Sequence, residues 1–147
     1  MKLATLPYIL SCAALTALLS FNTLADGHGM EHKHAAMDPA KVYISSPKDG
    51  AVVSSPVKVV FGLDGMMLSP AGTGPKNSGH HHLIVDGKVP ALDKPMGGSV
   101  KHFGKGQTQT NLKLSPGEHT LQLIMGDKTH TPHHQPVISK QITITVK

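Results

Sequence analysis

The chain has 147 residues, a length that fits one ordinary domain with short extensions. Its formal charge is +5, and all the positive charge comes from 14 lysines scattered singly along the sequence, without arginine or tryptophan. Nucleic-acid-binding proteins usually cluster Lys and Arg and add aromatic side chains for stacking, so this composition argues against a nucleic-acid partner.

The first 25 residues have the pattern of a secretory signal peptide, with Lys2 before an apolar stretch and small Ala25 at the end. The apolar stretch is too short to predict a membrane span. We therefore predict a periplasmic protein whose mature chain does not span the membrane. In the alternative interpretation, Cys12 is lipidated and anchors a lipoprotein. Cleavage after Ala25 would remove this single cysteine, which would exclude disulfides and thiolate ligands.

Residues 26–40, "DGHGMEHKHAAMDPA", have few apolar side chains and no periodicity, which predicts a flexible arm. With cleavage after Ala25, a histidine becomes the third residue of the mature chain. The free amine, two backbone amides and this imidazole could then form a square-planar nitrogen set for Cu(II) or Ni(II). The candidate ligands in the arm are His28, Met30, His32 and His34, together with Met37, and the two thioethers suit Cu(I).

From residue 41 onward, short alternating apolar runs are separated by Pro and Gly, which is typical of an all-β domain. We predict strands at 41–45, 51–55 (a short edge piece), 57–63, 80–86, 107–114, 119–125 and 140–147. The loop at 64–79 and the segment 88–106 lack periodicity, although the latter has room for one weak strand. About seven strands without a helical period favour an immunoglobulin-like β-sandwich over residues 41–147, with a small barrel as the alternative.

Eleven histidines all follow the predicted cleavage point, and the topology of such a sandwich brings several of them to one pole. The loop after 57–63 and the loop after 119–125 lie at the same pole, whereas His119 lies at the other. The predicted metal ligands of the domain are His80, His82, His102, His130, His133 and His134. Because side chains alternate along a strand, at most two members of "HHH" can face one pocket. The third is expected to support a ligand or to lie on the surface.

Several stretches resemble, in order, the bacterial exported family known as domain of unknown function 4399 (DUF4399). They are "VYISSPKDGAVVSSPVKVVFGLDGM", "GHHHLIVD", "HFGKGQTQTNLKLSPGEHTLQLIMGD" and "HTPHHQPVISKQITITV". The resemblance spans about residues 42–146 and implies an exported β domain. It implies no function.

The histidine pattern favours a periplasmic metal-binding protein for buffering, delivery or tolerance, with a copper ion as cofactor and zinc as the runner-up. The alternative is a structural or interaction module that docks on another envelope protein without metal. We do not expect an enzyme, because the chain lacks G-x-S-x-G, a paired-carboxylate motif and, after cleavage, any thiol.

Overall fold

A computed structural model describes residues 39–147, and the predicted signal peptide and the predicted arm ligands His28, Met30, His32 and His34 lie outside the described residues. The described part forms nine strands: β1 Lys41–Ser46, β2 Val52–Val53, β3 Val57–Asp64, β4 Met67–Leu68, β5 Ser78–Val85, β6 Lys101–His102, β7 Gln109–Leu112, β8 Gly117–Gly126 and β9 Ile142–Val146. Within residues 39–147, no helix is long and apolar enough to cross a membrane.

The strands form two separate sheets. One has the order β1-β3-β7, and the other has the order β2-β9-β8-β5-β4, with β6 also paired to β5. The sets β1-β3-β7 and β9-β8-β5 follow the order A-B-E and G-F-C of an immunoglobulin sandwich. The predicted β-sandwich is confirmed. Two sheets with free edges also exclude the closed barrel.

The main core lies between the sheets because each facing strand alternates in polarity. In β3, Val57, Val59 and Phe61 are buried and the lysine between the first two is exposed. They meet Leu121 and Leu123 of β8, which are fully buried in the same cluster. Burying side chains of this size contributes about 1.5–3 kcal/mol each to the free energy of unfolding.

A second, smaller apolar cluster lies on the opposite face of the larger sheet. Ile84 of β5 and Ile124 of β8 pack there against Met96 and Val100 from the segment between β5 and β6. This segment, which has no sequence periodicity, therefore covers the outer face of β5 and β8. It also forms one wall of the site described below.

The seven predicted strands are all present, with bounds shifted by a few residues. Strand β4 in the loop 64–79 was not predicted, and β6 is the one weak strand for which 88–106 had room. Each has only two residues, so neither can show an alternating pattern. Both strands form by pairing with β5. Strand β4 pairs with Ser78 and Gly79, and strand β6 pairs with His82 and Leu83.

Candidate metal centre

Strand β5 directs the three consecutive histidines to two different faces. His80 and His82 share the outer face with Ile84, whereas His81 faces the main core. All three side chains are buried, with 1% exposure or less. The prediction that at most two of them share a pocket is therefore confirmed. The expectation for the third was wrong: His81 packs against Phe61 with ring centroids 5.1 Å apart, instead of supporting a ligand or lying on the surface.

Four histidines converge on the outer face of the larger sheet, at the end where β5 begins and β8 ends. His80 Nε2 lies 3.1 Å from His130 Nδ1 and 3.1 Å from His102 Nε2. The ring of His82 is 4.7 Å from that of His80 and 5.1 Å from that of His102. One nitrogen of each ring lies within 4.8 Å of the others. We call this set the histidine quartet: His80, His82, His102 and His130.

Backbone pairing brings the third member to the site. His102 lies opposite His82 in the antiparallel β5–β6 ladder, so the two side chains share one face. The next residue, Phe103, also bonds to β5, because its N–H donates a hydrogen bond to the carbonyl of His81. Phe103 packs into the main core beside Phe61 at a centroid distance of 4.9 Å.

A tight turn after β8 positions the fourth member. The Asp127 carboxylate accepts hydrogen bonds from the N–H groups of Thr129 and Thr131, at 2.8 and 3.0 Å. Between them, His130 has a left-handed backbone with φ 67°. This conformation is uncommon for a residue with a side chain, and here it accompanies placement of the ring against His80. The His130 carbonyl also accepts a hydrogen bond from the N–H of Met96.

A cavity of about 310 Å³ opens beside the quartet. Its walls are three quartet members together with the covering segment: His82, His102, His130, Met96, Gly97, Gly98 and Val100. His102 is exposed while His80 and His82 are buried. An ion entering from this side would therefore meet an accessible imidazole before the buried pair.

Burial keeps the inner imidazoles neutral. Removal from water, followed by repulsion from His102 and His130, lowers the pKa of His80 to about 4. Burial and then repulsion from His80 lower the pKa of His82 to about 3. The pKa of His102 is also lowered, first by burial and then by His130. At neutral pH these rings keep a free lone pair, the form in which imidazole binds a metal.

The quartet cannot satisfy its own nitrogen atoms. A neutral imidazole nitrogen carries either one proton or one in-plane lone pair, so His80 Nε2 can make only one good hydrogen bond to its two neighbours. His80 Nδ1 and both nitrogens of His82 are buried without a hydrogen-bond partner. Each such atom costs about 1–3 kcal/mol of folding free energy. An ion that accepts one lone pair from each ring would remove part of this cost.

The spacing of the donor atoms suits one metal ion. Nitrogens bound at about 2.0–2.1 Å to one ion lie about 2.9–3.4 Å apart in adjacent positions and about 4.1 Å apart in opposite ones. The two 3.1 Å separations from His80 Nε2 match nitrogens in adjacent positions. No two of the four ligand nitrogens lie more than 4.8 Å apart, which exceeds the separation of opposite positions by less than 1 Å. His80, His82, His102 and His130 could therefore hold a metal ion after small side-chain shifts.

The two other predicted ligands of the domain lie outside the quartet. His133 is half-buried, and its Nε2 has no hydrogen-bond partner among the described residues. A Cβ built on Gly79 would lie 3.0 Å from this Nε2, and Gly79 shares the face of His81, not that of the quartet. His134 is exposed. His119 lies away from the site as predicted, with Nδ1 2.7 Å from Asp86 Oδ2 near the opposite end of β5.

Two residues of the site were not predicted from the sequence. Met96 lies in a segment without periodicity, so nothing indicated its position beside the quartet. Gly126 ends β8 opposite His80, where its lack of a side chain leaves room for the ring of His82. A glycine at the end of the mostly apolar strand sequence "LQLIMG" is a weak signal of such a close approach.

Comparison with known proteins identifies a family and no individual relative. The family model described as "Domain of unknown function (DUF4399)" matches residues 59–147, which include the whole quartet. No curated protein matches the chain, and no solved structure matches it.

Proposed function

This chain belongs to the DUF4399 family, whose name assigns no activity, and we propose that its histidine quartet binds one transition metal ion. The observation that carries the proposal is the position of His80 Nε2, 3.1 Å from nitrogens of two other imidazoles. Without an ion, the single proton or lone pair on His80 Nε2 can form a good hydrogen bond to only one of these two nitrogens. With an ion, all three nitrogens act as lone-pair donors.

Copper is the metal that we propose, with zinc as the runner-up. Four imidazoles without a carboxylate form a nitrogen donor set that suits copper and zinc, and Cu(II) binds such sites more tightly than Zn(II) does. The predicted arm adds a separate reason, since a histidine at the third position of the mature chain suits Cu(II). In this proposal the protein is exported and serves to buffer or deliver copper in the periplasm, or to provide tolerance to it.

The test is titration of the metal-free protein with Cu(II), Cu(I) and Zn(II) in a variant that lacks the arm ligands (His28→Ala, Met30→Leu, His32→Ala, His34→Ala and Met37→Leu). In this background, His80→Ala or His102→Ala should weaken binding by about 100-fold or more, since even supporting residues of metal sites change affinity by 10–100-fold. His134→Ala is the matched control, because this exposed loop histidine lies outside the quartet.

Two outcomes would overturn the proposal. In one, the arm-variant protein binds no metal more tightly than its His80→Ala/His130→Ala derivative. In the other, His134→Ala weakens binding as much as His80→Ala. Capture of an envelope protein by the metal-free chain, together with the first outcome, would support the interaction module instead.

A further inference from the structure

The segment that covers the quartet places a methionine at the wall of the metal cavity. Met96 is 9% exposed and packs with Ile84, Val100 and Ile124 on the outer face of the larger sheet. Its N–H donates a 2.9 Å hydrogen bond to the carbonyl of His130. The backbone of Met96 is thus attached directly to a member of the quartet.

The end of the Met96 side chain lies near the ring of His82. A Cβ built on Gly126 would lie 2.8 Å from Met96 Cε and 2.6 Å from His82 Cε1, so both groups approach the same point above that glycine. Among the residues that line the cavity, the other three members of the covering segment are Gly97, Gly98 and Val100. None of their side chains has a donor atom. Met96 is therefore the sulfur donor of the cavity wall.

We propose that Met96 is a thioether ligand of the quartet's ion and makes the site selective for Cu(I) over Zn(II). The inference rests on the proposed metal-binding function and adds a fifth donor to it. Thioether sulfur is a soft ligand that prefers Cu(I), whereas Zn(II) is satisfied by four imidazoles. Methionine also has flexible torsions, so its sulfur can approach an ion in the cavity without movement of the backbone.

Packing alone offers a different explanation for Met96, and one substitution separates the two. Met96→Leu keeps a side chain of similar volume in the outer apolar cluster and removes only the sulfur. Met125→Leu is the matched control, because Met125 is fully buried in the neighbouring main core and faces away from the quartet. Both substitutions are made in the arm-variant background described above, which keeps arm sulfurs out of the measurement.

The experiment measures Cu(I) and Zn(II) affinities by competition with chelators and records copper-edge X-ray absorption of the Cu(I)-loaded proteins. We expect Met96→Leu to weaken Cu(I) binding about tenfold or more, with Zn(II) binding changed less than about threefold. A sulfur scatterer should be present in the parent protein and in Met125→Leu, and absent in Met96→Leu.

The inference is overturned if Met96→Leu leaves Cu(I) binding unchanged, weakens both metals equally, or retains the sulfur scatterer. None of these results would contradict metal binding by the quartet. If the parent protein instead binds neither metal more tightly than His80→Ala/His130→Ala, the metal-binding function itself fails and the inference fails with it.

Discussion

The ring of His82 occupies the space that a side chain on Gly126 would need. A Cβ on Gly126 would lie 2.6 Å from His82 Cε1, closer than side-chain carbons approach one another. The glycine lies on the same face as His80 and His82, because it is opposite His80 in the β5–β8 ladder. One missing side chain on β8 thus leaves room for the ring of His82.

Gly126→Ala should displace His82 and weaken metal binding. We expect a loss of about 1–3 kcal/mol in the free energy of unfolding from the overpacking, measured by urea denaturation, together with weaker metal binding in the titration. Gly98→Ala is the control: it lies in the same cavity wall, and a Cβ there meets nothing within 4 Å. Equal effects of the two alanines would contradict a specific need for Gly126.

His81→Phe should leave metal binding unchanged although it alters the middle residue of "HHH". His81 packs on Phe61, donates from Nδ1 to the Gln107 carbonyl at 3.2 Å, and leaves Nε2 buried without a partner. Phenylalanine keeps the ring, removes the unpartnered nitrogen and loses one hydrogen bond, so we expect a stability change below about 1.5 kcal/mol in urea denaturation.

The His81→Phe variant should bind metal with an affinity within about threefold of that of the parent protein. His80→Phe, one residue away on the other face, should instead lose metal binding. If both substitutions weaken binding alike, the assignment of His81 to the core face is wrong.

The metal-free protein should lose stability as the pH falls. Burial lowers the pKa of His80 to about 4 and that of His82 to about 3, whereas both are near 6.5 in the unfolded chain. Below pH 6.5 the unfolded chain therefore binds protons that the folded chain does not, and the stability present at pH 7 is lost progressively toward pH 4. The slope can reach about 1.4 kcal/mol per pH unit for each such group.

Urea denaturation at pH 7.5, 6.0 and 5.0 measures this loss. His82→Leu removes one of the two groups and should flatten the dependence between pH 6.5 and 5. An unchanged slope in this variant would show that His82 is not buried as a neutral ring.

His119 should stabilise the fold more at low pH than at high pH, the reverse of the dependence expected for His80 and His82. Its Nδ1 donates to Asp86 at 2.7 Å and its Nε2 to the Ser115 carbonyl at 2.9 Å, which requires both nitrogens to carry a proton. The hydrogen bond to Asp86, followed by that to Ser115, raises the pKa of His119. This contribution is complete below the unfolded pKa of about 6.5 and is lost as the pH rises through the folded pKa.

His119→Gln should therefore cost more stability at pH 6 than at pH 8.5. The difference should be about 0.5–1 kcal/mol, because exposed ion pairs contribute little. Urea denaturation at the two pH values measures it, and the metal titration should be unaffected. A larger cost at pH 8.5 would contradict the doubly protonated ring.

The alternating patterns alone predict the main strands and the faces on which the histidines of β5 lie. The alternation in "VKVVFGL" predicts one buried face of β3, and the same period of two separates His81 from His80 and His82. These features depend only on neighbours along one strand, so a single segment contains all the information.

Contacts between distant segments select the loop residues that join the strand histidines. His130 enters through a left-handed turn held by Asp127, and His102 through a two-residue strand paired to β5, whereas His133 and His134 remain outside the quartet. Met96 enters because its segment packs on the outer face of the sheet. Loops have no periodic pattern, and their paths are set by distant contacts. The sandwich topology predicts that these histidines meet at one pole, but it does not predict that His102 and His130 join the quartet while His133 and His134 lie outside it.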